Sequence, residues 1–287
     1  MGQVLVAGIG AGAVYGLFAL GLVLIYKSTK VLSFAQGEIG TFAAYIAWTL
    51  VAQGRLPWLA AAIIALAGAA VVGLLFERLA VRPLIDAPRL TLVVATIAAG
   101  LFLGALELKI WGPSPRLMPS PFHGVGLRLA DVVITPPRLL ALGMTAFVGL
   151  AFAAFFRRTT FGLALLASAQ DVVSVRLTGI RLRHLSAFTW GVSAVVAAAA
   201  GITIALSLGA FAEFFMARIM LMGFAAAVIG GMTSLPGALV GGLIVGMAEA
   251  VVSQYWISTP GVVETLMFAA IVVVLLVRPQ GMLGRAA

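Results

Sequence analysis

The segment Arg157 to His184, RRTTFGLALLASAQDVVSVRLTGIRLRH, is the one long amphipathic stretch in a chain otherwise dominated by apolar runs. Its charges mark where the flanking apolar runs must stop, and so decide how the rest of the 287 residues divides. From Phe161 to Leu177 the apolar positions Leu165, Leu166, Ala169, Val172, Val173 and Val175 follow helical spacing only roughly, with Gln170, Asp171, Ser174 and Arg176 between them. This pattern predicts a short helix at a membrane surface, ended at Thr178-Gly179-Ile180, because glycine accepts the left-handed conformation at a helix C-terminus. Two uses stay open for such a helix: anchoring the following span at the interface, or receiving a partner that delivers energy.

Outward from this segment the composition is that of a membrane protein. The chain is 63% apolar and 9% charged, with a mean hydropathy of +1.17, whereas soluble domains carry about 25% charged residues. A bilayer core of about 30 Å needs roughly 20 apolar residues per helical pass, and runs of that length recur near 4–26, 33–52, 57–79, 90–108, 138–156 and 186–208. A longer apolar region, 218–256, is interrupted by Gly230-Gly231-Met232-Thr233-Ser234-Leu235-Pro236-Gly237, and a last span covers 262–277. Nine crossings is the working count, with eight plus a re-entrant pair as the alternative. The short alternating segments of a barrel are absent. There is no cysteine, hence no disulfide framework, thiolate metal site or cysteine nucleophile. The opening MGQVLVAGIG lacks a basic n-region, so the first run reads as a retained span.

Lysine and arginine set the orientation, since cytoplasmic loops carry their excess. Alternate connections place Lys27, Lys30, Arg78, Arg82, Arg89, Arg157, Arg158, Arg176, Arg181, Arg183, Arg278 and Arg285 on one side. The other side holds Arg55, Lys109, Arg116, Arg128, Arg138 and Arg218. The first side is expected to be cytoplasmic, with the N-terminus outside and the C-terminus inside. Topology and anionic headgroups thus account for the net charge of +9 without nucleic acid. Half of the twelve prolines fall in 109–137, which predicts a stiff external loop, either a connector or a platform for a soluble partner. Gly8, Gly12 and Gly16, and Gly237, Gly241, Gly242 and Gly246, form ridges at a spacing that lets helices approach closely. His123 and His184 are not spaced with carboxylates as metal ligands, and the five tryptophans fall mostly near span ends, as interfacial anchors do.

Several segments together carry a resemblance. Ala167-Ser168-Ala169-Gln170-Asp171, followed after seven residues by Gly179-Ile180, is similar to the coupling loop of permease subunits of ABC importers. Val31-Leu32-Ser33-Phe34-Ala35-Gln36-Gly37-Glu38 resembles a segment of the branched-chain amino acid type, with Ser33 where asparagine is usual. The glycine-rich break Val228 to Ala238 with Gly241-Gly242, the stretch Glu77 to Leu84 and the tail Arg278 to Gly284 also resemble that family. The resemblance runs in order from Gly12 to about Arg285 and is weakest across 109–137.

It implies one all-α transmembrane permease domain over 1–287, with broken helices and a cytoplasmic coupling segment at 157–184, in a bacterial inner membrane. It further implies a second permease subunit, identical or more often a non-identical homologue, two cytoplasmic ATPases that bind ATP and Mg²⁺, and an external solute-binding protein. The residues agree on where ATP binds: the nearest approach to a phosphate loop, Gly21 to Ser28, has Tyr26 where its second glycine is required. Ala167, Ala169, Gln170, Asp171, Gly179 and Ile180 are the expected coupling residues. Ser33, Phe34, Gln36, Gly37, Glu38, Gly230, Gly231 and Ser234 are the expected lining of the route, where the helices at Gly37 and at Gly230–Gly237 would unwind and open backbone groups to a cavity. Glu38 is either buried in the path or an interfacial cap, and Glu249 raises the same question. The solute would be a branched-chain amino acid or a related small polar or carboxylate solute, with urea, amides and aromatic acids carried by related permeases. A secondary transporter driven by an ion gradient is the other reading, with Glu38 and Glu249 as its candidate coupling acids; no nucleophile, base or metal cluster of an enzyme is visible.

Overall fold

The computed structural model describes residues 2–85, 87–122, 127–129, 132–170, 182–255, 261–278 and 280–284. Among them are ten α-helices: α1 (Gly2–Thr29), α2 (Gln36–Trp48), α3 (Trp58–Phe76), α4 (Arg89–Trp111), α5 (Pro136–Arg158), α6 (Thr160–Gln170), α7 (Leu182–Leu208), α8 (Met216–Gly230), α9 (Leu235–Tyr255) and α10 (Val262–Val277). The chain is an all-α polytopic bundle. Six of these helices are long and apolar enough to cross a membrane, and α8 and α10 are apolar but shorter. α2 gains length by continuing as a π-helical turn through Thr49–Gln53.

A helix that is apolar on every side has to sit inside. α1 is such a helix: 89% of its apolar window is buried, against 17% in α5 and 28% in α3 with its extension. α5, α3 and α4 instead expose Phe147, Leu150, Leu59, Ile63, Leu101 and Phe102, as lipid-facing helices do. The glycine ridges bring α1 and α9 together, antiparallel: Gly8 lies against Met247, Gly12 against Gly242 and Leu243, Gly16 against Leu239. A Cβ built at Gly12 would come within 2.8 Å of the Gly242 carbonyl oxygen and Leu243 Cα. With no side chain at the contact the two backbones approach closely and gain dispersion along their length.

The order of packing shows two halves of the same plan. α1 packs most extensively on α9, and α7 packs most extensively on α3. α2 lies on α7, α3 and α4, while α8 lies on α1, α9 and α10. The interval from Gly2 to Gln36, which open α1 and α2, equals that from Leu182 to Met216, which open α7 and α8. Each central helix ends on a left-handed residue: Lys30 (φ 56°), whose N–H donates to the Tyr26 carbonyl (2.9 Å), and Gly209 (φ 74°), whose N–H donates to the Ala205 carbonyl (3.0 Å). The two halves, α1–α4 and α7–α10, run in opposite directions, which is the arrangement of an inverted-topology repeat. α5 and α6 connect them.

Two short strands tie the halves at the face that holds the first turns of α1. β1 (Arg116–Leu117), after α4, pairs antiparallel with β4 (Ala210–Phe211), after α7. Between them in sequence, β2 (Leu127–Leu129) and β3 (Val132–Ile134) form a hairpin in the proline-rich connection. Trp48 and Trp58 donate their indole N–H to the carbonyls of Leu117 and Pro119 (3.0 and 2.9 Å), so this connection is bound to the ends of α2 and α3. Trp190 departs from the interfacial placement expected of tryptophan. It is fully buried in α7 and stacks on Phe76 at 5.4 Å.

Candidate functional site

After Lys30 the chain leaves helical geometry and re-enters it at Gln36. The exposed backbone of this break is met by one side chain from α4. The Phe34 N–H donates to Thr96 Oγ1 (3.2 Å), whose hydroxyl reaches the carbonyls of Val93 (2.8 Å) and Leu32 (3.3 Å). The Phe34 amide and the Leu32 carbonyl are thereby paired within the protein. Side chains carry the unmet capacity instead. Ser33 Oγ, both amide atoms of Gln36 and Glu38 Oε2 have no hydrogen-bond partner among the described residues, although Ser33, Gln36 and Glu38 are only 4%, 1% and 8% exposed. An unpaired buried polar atom costs about 1 to 3 kcal/mol, so a cluster of them in an apolar bundle marks a place completed by water or by a solute.

This polar strip lies at mid-height. Gly40 rests against Ala197, near the middle of α7, and Gly37 packs on Met216 and Met220 in the first turns of α8. The first turns of α2 and α8 thus meet inside the bundle. Phe34 faces Phe224 with 6.3 Å between ring centres. Glu38 is a buried side chain in the first turn of α2.

The strip continues toward the β1–β4 face through residues that sequence reading did not assign. Glu107 of α4 is fully buried with neither carboxylate oxygen hydrogen-bonded among the described residues, and Glu38 and Glu213 lie within electrostatic reach of it. Tyr45 is fully buried, stacked on Trp111 (4.9 Å) and edge-on to Phe211 (4.9 Å), with its hydroxyl unpaired among the described residues. Trp111 donates to Thr49 Oγ1 (2.7 Å), and Arg116 donates to the Trp111 carbonyl while its guanidinium lies 4.9 Å over the Trp48 ring. A signal for Glu107 does exist in the sequence: Thr96, Gly100, Leu103, Gly104 and Glu107 share one helical face of mostly small or polar residues on an otherwise bulky helix.

The second expected break behaves differently. The segment after α10 closes it: Met282 and Leu283 N–H donate to the carbonyls of Ile229 (2.8 Å) and Gly230 (3.1 Å), and Ser234 Oγ accepts from the Gly237 N–H (3.1 Å). Gly231 adopts φ 108° and packs on Gln280 and Gly284. Leu235 joins Leu24, Phe156, Leu165 and Leu185 at the face opposite the first turns of α1. Gly230, Gly231 and Ser234 thus lie where α8 ends and α9 begins, with the Gly230 carbonyl paired to the segment after α10. In the same half, Glu249 is held by the Tyr15 hydroxyl (2.5 Å) and by Arg218 (2.9 Å), which also pairs with Glu264 (2.8 Å).

Of the expected coupling residues, Ala167 is exposed on α6 and Ala169 and Gln170 complete that helix. Asp171, Gly179 and Ile180 lie outside the described residues.

A family model for the permease component of the branched-chain amino acid transport system matches residues 4–276. The high-affinity branched-chain amino acid transport system permease protein LivH of Escherichia coli (strain K12) is 31% identical over 97% of this chain and 94% of its own length. BraD of Pseudomonas aeruginosa, a permease protein of the same description, is 32% identical over 99% and 95%. The probable branched-chain amino acid transport permease protein LivH of Methanocaldococcus jannaschii is 30% identical over 93% and 88%. Among solved structures, PsaBC from Streptococcus pneumoniae in complex with Fab shares the fold, with a TM-score of 0.54 over 97% of this chain and 92% of that chain at 14% identity.

Proposed function

The chain belongs to the branched-chain amino acid transport system permease family, and we propose that it is the translocating subunit of an ATP-driven importer, moving branched-chain amino acids or a related small carboxylate solute by alternating access. The observation that carries the route is the strip of buried, unpaired polar side chains from Ser33, Gln36 and Glu38 to Glu107. Phe34 and Gly37 shape that strip where α2 and α8 meet. Gly230, Gly231 and Ser234 take the role of a joint between α8 and α9.

The permease itself catalyses nothing. ATP and Mg²⁺ are held by two cytoplasmic ATPase partners, a second permease subunit completes the membrane portion, and an external binding protein delivers the solute. The distribution of lysine and arginine supports placing the β1–β4 face outside and Arg157, Arg158, Arg183 and Arg278 inside, in a bacterial inner membrane. Ala167, Ala169, Gln170, Asp171, Gly179 and Ile180 then form the contact through which ATPase closure reaches the membrane helices. Gly179→Leu is expected to leave the assembled complex recoverable while reducing ATP-driven uptake; co-purification and uptake from the same preparation read the two effects apart.

The deciding experiment is uptake of radiolabelled leucine into proteoliposomes holding the assembled complex and its binding protein. Uptake that requires ATP supports the importer. Uptake that ignores ATP and stops when an ion gradient is collapsed would replace it with a secondary transporter.

A further inference from the structure

One face of α4 lies along the non-helical backbone of residues 31–35, which leads into α2. Leu92 packs with Val31 and Ala35 in an apolar cluster, and one turn on, Thr96 bonds the Phe34 N–H. One turn further, a Cβ built at Gly100 would lie 3.5 Å from Ala35 Cα, 3.6 Å from the Phe34 carbonyl oxygen and 3.7 Å from Glu38 Cγ. The opposite face of α4 exposes Leu90, Val94, Ile97 and Leu101, as a lipid-facing surface does.

Thr96 is the polar member of this contact and is fully buried. Valine would fill nearly the same shape among apolar neighbours, so the hydroxyl matters for what it bonds. Its oxygen accepts the Phe34 N–H at 3.2 Å, and its one hydrogen lies within reach of the Leu32 carbonyl at 3.3 Å and the Val93 carbonyl at 2.8 Å. One hydroxyl thus grips the break on both sides of Ser33, whose own Oγ has no partner among the described residues. Because Val93 belongs to α4 itself, the hydroxyl keeps a bond if the break lifts away, and the pairing of Leu32 and Phe34 is what is lost. Thr96 and Glu107 both lie on the buried face of α4, about three turns and 16 Å apart along the axis. A rigid helix therefore carries the two together.

We propose that Thr96 is a positioning residue of the transport route: it docks residues 31–35 on α4, so that Ser33, Gln36 and Glu38 stand in register with Glu107. The inference rests on the importer reading and adds to it a residue that acts on the solute only through the break. Without the hydroxyl, the buried Phe34 N–H and Leu32 carbonyl are left unmet and the segment is freed to leave α4.

The chain contains no cysteine, so Ser33→Cys supplies a single reporter thiol on this subunit, and its alkylation rate reads how often the break lifts. In the assembled complex in lipid nanodiscs, Thr96→Val is expected to speed alkylation of that thiol about fivefold, the effect of one buried hydrogen bond. Thr96→Ser is expected to restore the original rate. Ser193→Cys, fully buried in α7 against α1, is the control: its rate stays unchanged if Thr96 acts locally and rises in step if the whole bundle loosens. Without reporter thiols, Thr96→Val is expected to lower the leucine moved per ATP hydrolysed in the same proportion, and Thr96→Ser to recover it. Retention of the ATPases on the purified variant reports assembly. If Thr96→Val loses them, Gly100→Val, whose branched side chain presses the same backbone away from α4 with the hydroxyl intact, is expected to give the same pattern. The assignment is overturned if alkylation at Ser33→Cys is unchanged, if both thiols respond alike, or if leucine moved per ATP is untouched. Wild-type uptake that ignores ATP is a different failure: it removes the importer and the transport role with it, while the alkylation difference still locates Thr96 on the break.

Discussion

The two halves of the bundle share a backbone plan and differ in what they do with charge. α2 opens with Gln36-Gly37-Glu38 and α8 with Met216-Ala217-Arg218, so equivalent third positions carry an acid and a base. Arg218 is tied down by two carboxylates, Glu249 and Glu264, from the next two helices of its half. Glu38 makes no ion pair among the described residues and keeps an oxygen unpaired. The same helix geometry can thus be used to lock one region and to leave another with polar capacity for a passing solute. Polar satisfaction, more than backbone shape, separates scaffold from path.

The most forceful way to break this comparison is at the glycine contacts both halves share. A Cβ at Gly242 would run into the backbone of Gly16, and one at Gly73 would come within 2.6 Å of Ala194 Cβ and 2.7 Å of the Trp190 carbonyl oxygen. Leucine at either position is expected to cost about 3 kcal/mol, the upper end for overpacking, read as loss of monodisperse protein in detergent and a lower melting temperature. Tolerance of Gly73→Leu alone would show that the halves are not packed by one rule. Next comes the ion-pair junction: Arg218→Met leaves Glu249 on Tyr15 alone. Because the Arg218 side chain is half exposed, solvent screening limits the expected loss to about 1 to 2 kcal/mol, measured by thermal melting in low and high salt.

Glu38→Gln sharpens the contrast from the other side. It removes a buried acid that makes no ion pair among the described residues, so stability is expected to change by less than about 1 kcal/mol, while leucine uptake by the full complex falls. A stability loss as large as that of Arg218→Met would show that Glu38 is scaffold. The smallest effect concerns the two left-handed helix ends. Lys30→Gly is expected to stabilise by about 0.5 to 1 kcal/mol, since glycine takes φ 56° without a Cβ penalty. Gly209→Lys should cost a similar amount, and both are read as shifts in melting temperature.

Much of the fold was legible because lipid forces a simple code on sequence. The expected spans 57–79, 90–108, 138–156 and 186–208 lie within a few residues of the observed helices, and 262–277 coincides with α10. The glycine-proline run at 230–237 divided the longest apolar region where α8 ends and α9 begins. Other features depend on which helices become neighbours, and a single sequence does not carry that. Glu107 comes within electrostatic reach of Glu38 only because α4 packs on α2. The repeat is written in segment lengths and directions, with an acid opposite a base at its clearest equivalent position. Trp190 looked like an anchor because indoles favour interfaces, yet a stacking partner such as Phe76 suffices to bury one.

The β1–β4 pair has a mechanical consequence. Two residue pairs, Arg116 with Phe211 and Leu117 with Ala210, hold the end of α4 to the end of α7. A ribbon of two residue pairs is marginal on its own, so its register persists only while α1 on α9 and α3 on α7 hold the halves together. Loosening of those glycine contacts would therefore be felt at this distant ribbon as lost strand pairing.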